Sequence, residues 1–368
     1  MASRSGSTPG QTRSTYYPAV DGLRAFAVLA VIAFHAARKY VPGGFLGVDV
    51  FFVISGFVIT LTLLREHERT GRLDLLQFYR RRFWRLMPAL VAAIVLAGLL
   101  TPWTRDSFGS FLLQAVQAGT YTLNIGHTFS SHPGDQVLSH TWSLGVEEQY
   151  YLMWAPLAAL LLAAIATRTR RAYAVVGLTL AFAVSGLLTA ELGSYQAAFF
   201  LPWARFPELL VGATLAVVLH RRPADRVVRV FQLPSLALAA AMALAVCMLM
   251  LDDLLGDGLF HGGFLAVALL TAVLIGHAYT AQRGLVVRLL DLRPSVWLGQ
   301  RSYGLYLYHW PITVMLHHQR VPRSLHPPIV LVCALVLAAA SYAYLEQPLR
   351  RRGHTAAPQD KGPAQATA

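Results

Sequence analysis

The chain has 368 residues, of which 55% are hydrophobic and only 13% are charged, and its formal net charge is +13. Soluble domains carry about 25% charged residues, so this composition excludes an ordinary soluble protein. The positive charge does not indicate nucleic-acid binding, because the arginines lie in short segments between apolar runs. Cys247 and Cys333 lie inside apolar runs without metal-ligand spacing, so we expect no metal site and no disulfide.

Long apolar runs predict an all-α integral membrane protein, with a transmembrane domain at 19–350 between disordered ends at 1–18 and 351–368. Segment 108–126 holds Gln114, Gln117 and Asn124, so we predict a re-entrant or interfacial helix there. About ten runs are long enough to cross a bilayer: 19–37, 43–64, 86–102, 141–166, 172–190, 204–220, 231–251, 262–281, 296–316 and 328–347.

The loops predict the orientation of these spans. If both termini are cytoplasmic, nearly all basic residues outside the spans face the cytoplasm, as the positive-inside rule requires. The exceptions on the outer side are Arg38, Lys39, Arg105, Arg320 and Arg323.

The first span carries Arg24 and His35 in an otherwise apolar stretch. Their spacing corresponds to about three helical turns, roughly 16 Å, so both side chains share one face of the helix, close to Asp21. Ionisable groups inside a span are costly and are functional candidates, although a structural polar pair is the alternative. A neutral imidazole in an apolar pocket suits general-base catalysis, which makes His35 the first candidate.

The second span opens with four glycines and one carboxylate, Asp49. The glycines allow another backbone or a thin ligand to approach closely. Asp49 is predicted near the outer end of its span and therefore near His35. Two roles are equally supported: it orients the imidazole, or it is a structural hydrogen-bond acceptor.

A basic cluster follows the second span, within residues 78–88, and contains Arg80, Arg81, Arg82 and Arg85. Guanidinium groups suit the phosphates of a nucleotide-bearing donor such as coenzyme A. A basic segment resting on anionic lipid is an equally good interpretation.

Two further segments carry candidate substrate-binding residues. His140, Ser143, Glu147 and Glu148 begin the fourth span, where they suit recognition of hydroxyl groups, although acidic residues are also favoured in a first helical turn. Tyr303 and His309 belong to an aromatic stretch of the ninth span, which either lines an acceptor cleft or forms an interfacial belt. Arg205 and Glu208 are spaced as a structural ion pair.

Six motifs stand in order along the chain: the pair Arg24 and His35, and the segments at 43–52, 78–88, 140–151, 205–208 and 302–311. Together they resemble the membrane acyltransferase-3 family over roughly Tyr17 to Arg350. Here the chain resembles the single-module form, without a C-terminal hydrolase-like domain.

The resemblance implies an O-acyltransferase of the bacterial cytoplasmic membrane that moves an acyl group from acyl-CoA, expected to be acetyl-CoA, to a carbohydrate, glycolipid or macrolide-type hydroxyl. It implies His35 as the catalytic histidine, Arg24 as its companion and the Arg80–Arg85 cluster on the donor side. The mouth with His140 and Glu147 would lie near the acceptor. No metal is implied, and a homo-oligomer is left open.

A proton-coupled transporter of a lipid-linked sugar or drug is the alternative from another class. In that case Arg24 and His35 would form a proton relay, and no thioester would be consumed.

Overall fold

In the computed structural model the described residues are 16–130, 136–221, 224–252, 256–281, 284–319 and 321–355, with side chains described as far as Arg351. Within these ranges every regular element is helical, which confirms the predicted all-α class. Short 3₁₀ turns and two π-helical segments, Leu259–Gly263 and Tyr342–Glu346, join some of the helices. The α-helices are α1 Pro18–Ala37, α2 Gly47–Thr70, α3 Leu75–Leu100, α4 Phe108–Gly119, α5 Leu123–Thr128, α6 Trp142–Ala164, α7 Arg168–Leu192, α8 Tyr195–Phe200, α9 Pro202–Leu219, α10 Asp225–Gln232, α11 Pro234–Met250, α12 Phe264–Thr280, α13 Leu285–Leu290, α14 Arg293–Gln300, α15 Ser302–His318, α16 His326–Ser341 and α17 Gln347–Thr355.

Seven helical segments of the described chain are long and apolar enough to cross a bilayer, which fits a multi-pass membrane protein. An eighth span results if α10 and α11, which meet at a 57° bend, are counted as one. Two predicted spans are outside this set: α15 is only 17 residues long, and α6 carries three consecutive polar residues at 147–149. The count of ten spans and the cytoplasmic location of the termini stay predictions.

The segment at 108–126, predicted as a re-entrant or interfacial helix, forms α4 and α5, of 12 and 6 residues, and neither is long enough to cross a bilayer. Two predicted spans are broken for local reasons. The run at 231–251 bends at Pro234, since proline disfavours helical geometry in the residue before it. The run at 296–316 is interrupted at Arg301, between α14 and α15. At the C-terminal end, α17 continues past the predicted domain boundary to Thr355.

The largest boundary difference concerns the basic cluster. Gly71, in the left-handed conformation at φ 73°, ends α2, and Asp74 caps α3 by accepting a hydrogen bond from the backbone N–H of Gln77 at 2.9 Å. Helix α3 therefore begins at Leu75 instead of residue 86. The arginines at 80–85 lie on the first turns of this long helix, so their side chains have fixed directions.

The centre of the bundle is the contact between α2 and α9. A Cβ atom at Gly56 would overlap the backbone carbonyl of Leu209, and one at Gly212 would overlap that of Val53. Glycine is therefore required at both positions for the two backbones to touch. Helix α7 is much less enclosed, since only Val175, Thr179, Gly186 and Ala190 of its 25 residues are buried.

Replacing Gly56 by alanine is expected to lower the stability by about 1–3 kcal/mol, because the new methyl group must push α2 and α9 apart. The matched control is Gly177→Ala in α7, where an added Cβ meets nothing within 4 Å. Thermal unfolding of both variants in detergent measures the difference. Equal unfolding temperatures for the two variants would contradict this close packing.

Candidate active site

Three histidines from distant parts of the chain meet at one end of the bundle. His35 of α1 lies with its Nδ1 3.0 Å from Nε2 of His309 on α15, and the two rings are stacked. His140, in the 3₁₀ turn before α6, has its ring centroid 5.7 Å from that of His309. Trp310 packs edge-on against His35 at 4.4 Å. His140 and His309 are buried, whereas His35 remains partly exposed.

Backbone carbonyl groups hold the second and third histidines in place. Nδ1 of His309 lies 2.6 Å from the carbonyl oxygen of Tyr306 and 3.2 Å from that of Leu305. Nε2 of His140 lies 3.1 Å from the carbonyl oxygen of Leu307. All of these carbonyls belong to α15, so one helix positions both rings.

Tyr306 and Ser143 lie between the histidines and a cavity inside the bundle. The Tyr306 hydroxyl donates to the carbonyl oxygen of His140 at 2.7 Å and lies 2.6 Å from Oγ of Ser143. Both residues line the cavity, whereas the three histidines do not. The Tyr306 ring also contacts those of His140 and His309, at 5.4 and 5.6 Å.

The opposite end of this cavity is positively charged, and we call it the arginine end. Its lining includes Arg24 of α1 and both Arg82 and Arg85 of α3. A second cavity shares Arg24, Arg85 and Tyr303 with the first and adds Arg65 and Arg350. The two cavities therefore adjoin, and guanidinium groups line both of them.

Glu147 and Glu148 lie at the arginine end. Glu147 accepts a hydrogen bond from Ser55 and lines the first cavity, while Glu148 is 3.8 Å from Arg82. The sequence predicts both near the acceptor, at the mouth with His140. Helix α6 starts at Trp142, one residue from the predicted start of this span, and Glu147 lies about 8 Å along the helix axis from that start, next to Ser55 of α2.

The four arginines predicted for donor binding do not act alike. Arg82 stacks on Tyr151 at 4.0 Å and lines the cavity together with Arg85. Arg81 is bound to Glu66 at 2.7 Å and to Gln77 at 2.6 Å, outside both cavities, and Arg80 is exposed. Helical periodicity separates residue 80 from the face that residues 82 and 85 share. It does not separate Arg81, which is four residues before Arg85 and is instead held outside the cavities by Glu66 and Gln77.

Asp49 faces Arg205 on α9 and not His35. Their side chains form a buried ion pair, and Nε of Arg205 lies 3.7 Å from Oε1 of Glu208. Arg205 also stands over the Phe264 ring at 3.8 Å. Among the described residues no contact joins Asp49 to His35, so the geometry matches the structural acceptor instead of the predicted catalytic role.

The sequence predicts no individual role for Tyr306, Trp310 or Ser55. The first two belong to the aromatic stretch that is predicted to line an acceptor cleft or to form an interfacial belt, and Ser55 is a hydroxyl in the apolar part of α2. A polar residue in a span is a usable signal, because it must find a partner inside the bundle. Here the partner is Glu147.

Comparison with known proteins identifies the family. A family model described as an acyltransferase domain matches residues 17–345. The chain belongs to this acyltransferase family. Its membership confirms the resemblance drawn from the six motifs.

Curated relatives are 30–33% identical to this chain over the aligned residues. YrhL of Bacillus subtilis is 33% identical over 92% of the chain, and the O-acetyltransferase OatA of Staphylococcus aureus is 30% identical over 93%. The peptidoglycan O-acetyltransferase OatA of Listeria monocytogenes is 31% identical over 92%. The chain spans only 55%, 58% and 56% of these relatives, respectively. No solved structure matches the chain.

One group of described residues in the acyltransferase has the composition of a metal site, away from the lining of the arginine end. Ligand atoms of Glu191, Asp257 and His261 lie within 4.8 Å of one another, and all three side chains are exposed. His261 already contacts both carboxylates, and Tyr195 donates to Asp257. These contacts account for the cluster without an ion.

Asp49→Ala is expected to destabilise the acyltransferase by about 3 kcal/mol, because it leaves Arg205 buried beside a single carboxylate. The control is Asp252→Ala, which breaks another Arg–Asp pair whose side chains are 55% and 71% exposed and which should cost less than about 1 kcal/mol. Thermal unfolding of the two variants measures the contrast. If Asp49→Ala unfolded at the wild-type temperature but had lost its activity, Asp49 would have a catalytic role and not a structural one.

Proposed function

We propose that this protein is an O-acyltransferase of the bacterial cytoplasmic membrane that transfers an acetyl group from acetyl-CoA to a hydroxyl of a cell-envelope glycan. The family supports acyl transfer, the names of the relatives support O-acetylation, and the long apolar helices of the described chain support a membrane protein. A glycan acceptor is favoured over a macrolide because two of the relatives, YrhL of Bacillus subtilis and OatA of Listeria monocytogenes, are named for peptidoglycan.

The donor assignment rests on the arginine end. Coenzyme A carries a pyrophosphate and a 3′-phosphate, which guanidinium groups bind with charge-assisted hydrogen bonds. Nε of Arg24 and Nε of Arg82 are buried and have no partner among the described residues. Arg85, which lines both cavities, forms no ion pair with any of the described residues. A bound anion would supply the acceptors that these donors lack.

One observation carries the proposal: the first cavity extends from Arg24 and Arg85 at one end to Ser143 and Tyr306, beside the histidines, at the other. Arg24 and His35 are roughly 16 Å apart along α1, a span that an extended pantetheine arm covers. The nucleotide then binds at the arginine end. The thioester lies at the other end of the cavity, beside Ser143 and Tyr306, and reaches the histidines from there.

The transfer step follows from this arrangement. His35 takes the proton of the acceptor hydroxyl as its oxygen bonds to the thioester carbonyl carbon. The carbon–sulfur bond breaks, and the sulfur leaves with that proton as the free thiol of coenzyme A. General-base catalysis of this kind is worth typically 10²–10⁴ in rate, about the loss expected when the imidazole is removed. An acyl-histidine intermediate is the rival path.

His35→Ala and His35→Gln are both expected to lower acetyl transfer by about 10²-fold or more, because neither retains a base at that position. The assay uses membrane vesicles with labelled acetyl-CoA and glycan fragments, and it records acetylated product together with released thiol. The control is His67→Ala, at the far end of α2 and outside the lining of the first cavity.

Turnover close to wild type in both His35 variants would overturn the assignment of the base. Movement of a glycan or drug without thiol release would instead identify a transporter. A labelled histidine trapped in wild type, and absent from His35→Gln, would favour the acyl-enzyme path.

Arg85→Ala is expected to raise the KM for acetyl-CoA about 10- to 100-fold, since a hydrogen bond to a charged group contributes roughly 1.5–3 kcal/mol. Arg80→Ala is the matched control, because this exposed arginine of the same helix lies outside both cavities. Initial rates against acetyl-CoA concentration separate the two. Equal KM values in both variants would contradict the donor site at the arginine end.

A further inference from the structure

The contact between His35 and His309 joins two specific ring nitrogens, and it therefore bears on the tautomer of each ring. Nδ1 of His35 faces Nε2 of His309 at 3.0 Å. A hydrogen bond between two neutral imidazoles needs one nitrogen with a proton and one with a free lone pair. Which ring donates decides which nitrogen of His35 is left for chemistry.

The other side of His309 fixes the answer. Nδ1 of His309 faces two carbonyl oxygens, those of Tyr306 at 2.6 Å and Leu305 at 3.2 Å. A carbonyl oxygen only accepts, so Nδ1 of His309 must carry the proton. In the neutral ring its Nε2 then has the lone pair and accepts from the Nδ1–H of His35.

A protonated His309 would reverse this assignment, but its surroundings oppose a charge there. The side chain is fully buried, and its ring neighbours are His35, His140 and Tyr306. None of the ion pairs among the described residues places a carboxylate on His309. Burying an unpaired charge costs several kcal/mol, so the neutral ring is the stable form.

We propose that His309 is a positioning residue that holds His35 in the Nδ1–H tautomer and so leaves Nε2 of His35 as the basic nitrogen. The inference rests on the proposed function, since it assigns to that nitrogen the proton of the acceptor hydroxyl. His35 is partly exposed, and Nε2 has no partner in the described part of the chain, so a hydroxyl can reach it. Orientation of the base thereby replaces the substrate-binding role that the sequence predicts for His309.

The same contact persists through the reaction. When Nε2 of His35 takes up the hydroxyl proton, its Nδ1–H continues to donate to His309, which disperses the positive charge toward the two carbonyls of α15. When the thiolate of coenzyme A takes the proton back, His35 returns to the tautomer in which it started. His309 neither gains nor loses a proton.

The first test compares two amide variants of equal polarity and different reach. The side-chain amide of His309→Gln extends to the former position of Nε2 and can accept from His35, whereas that of His309→Asn extends only to the position of Nδ1. We expect kcat within about 10-fold of wild type for His309→Gln and about 10²-fold lower for His309→Asn, part of the range for a general base. The KM for acetyl-CoA should be unchanged in both, because the arginine end is untouched.

The second test reads the tautomer without any turnover. Nitrogen-15 NMR of the full-length protein in nanodiscs, labelled at histidine and held at about pH 8 to keep ordinary imidazoles neutral, distinguishes protonated from unprotonated ring nitrogens. The His35 signals are those lost in His35→Gln. Wild type and His309→Gln should show an unprotonated Nε2 and a protonated Nδ1, and His309→Asn should show a mixture of both tautomers.

A wild-type His35 with its proton on Nε2 would overturn the inference whatever the activity. Wild-type kcat in His309→Asn, or equal losses of kcat in the two amide variants with the wild-type tautomer retained, would do so as well. These results differ from failure of the proposed function, which would appear as unaltered acetyl transfer in His35→Ala.

Discussion

The structure depends on one constraint, which is that a charged group inside the bundle is costly unless an opposite charge or a ligand faces it. Where α2 and α9 touch through glycine, Asp49 and Glu208 both face the Arg205 guanidinium, although Nε and Nη1 of Arg205 and Oε2 of Glu208 have no hydrogen-bond partner among the described residues. With Asp49 paired in this way, α2 can stand at the centre of the bundle. Helix α1, with His35, and α6, with Glu147, are then placed around it.

Charge is divided between the two ends of the proposed site. The arginine end has guanidinium groups with unsatisfied N–H donors, which suits an anionic donor. The histidine end has imidazole rings held by backbone carbonyls and aromatic side chains, which suits proton transfer. A ligand with phosphates at one end and a thioester at the other matches this order. The two ends together explain why Arg24 and His35 lie on one helix face without touching.

Sequence periodicity predicts relations within one helix well. The common face of Arg24 and His35 and the ion pair of Arg205 with Glu208 both follow from 3.6 residues per turn. Relations between helices are not contained in that period. Asp49 could not be assigned to Arg205, 156 residues away, nor His309 to His35, 274 residues away, without the packing. The start of α6 at Trp142 is within one residue of the predicted start, but the contact of Glu147 with Ser55 on α2 depends on the packing between helices.

The choice of an imidazole as partner for the base has a physical reason in this setting. In a serine–histidine–aspartate triad the third group is a charged carboxylate that stabilises the imidazolium. A carboxylate beside His35 would carry a charge into a site whose other rings are neutral, and burying it would cost several kcal/mol. His309 orients the base with no net charge, and the carbonyls of Leu305 and Tyr306 supply the negative end of a dipole instead. Asp49 is therefore better placed against Arg205, where its charge is matched, than against the base.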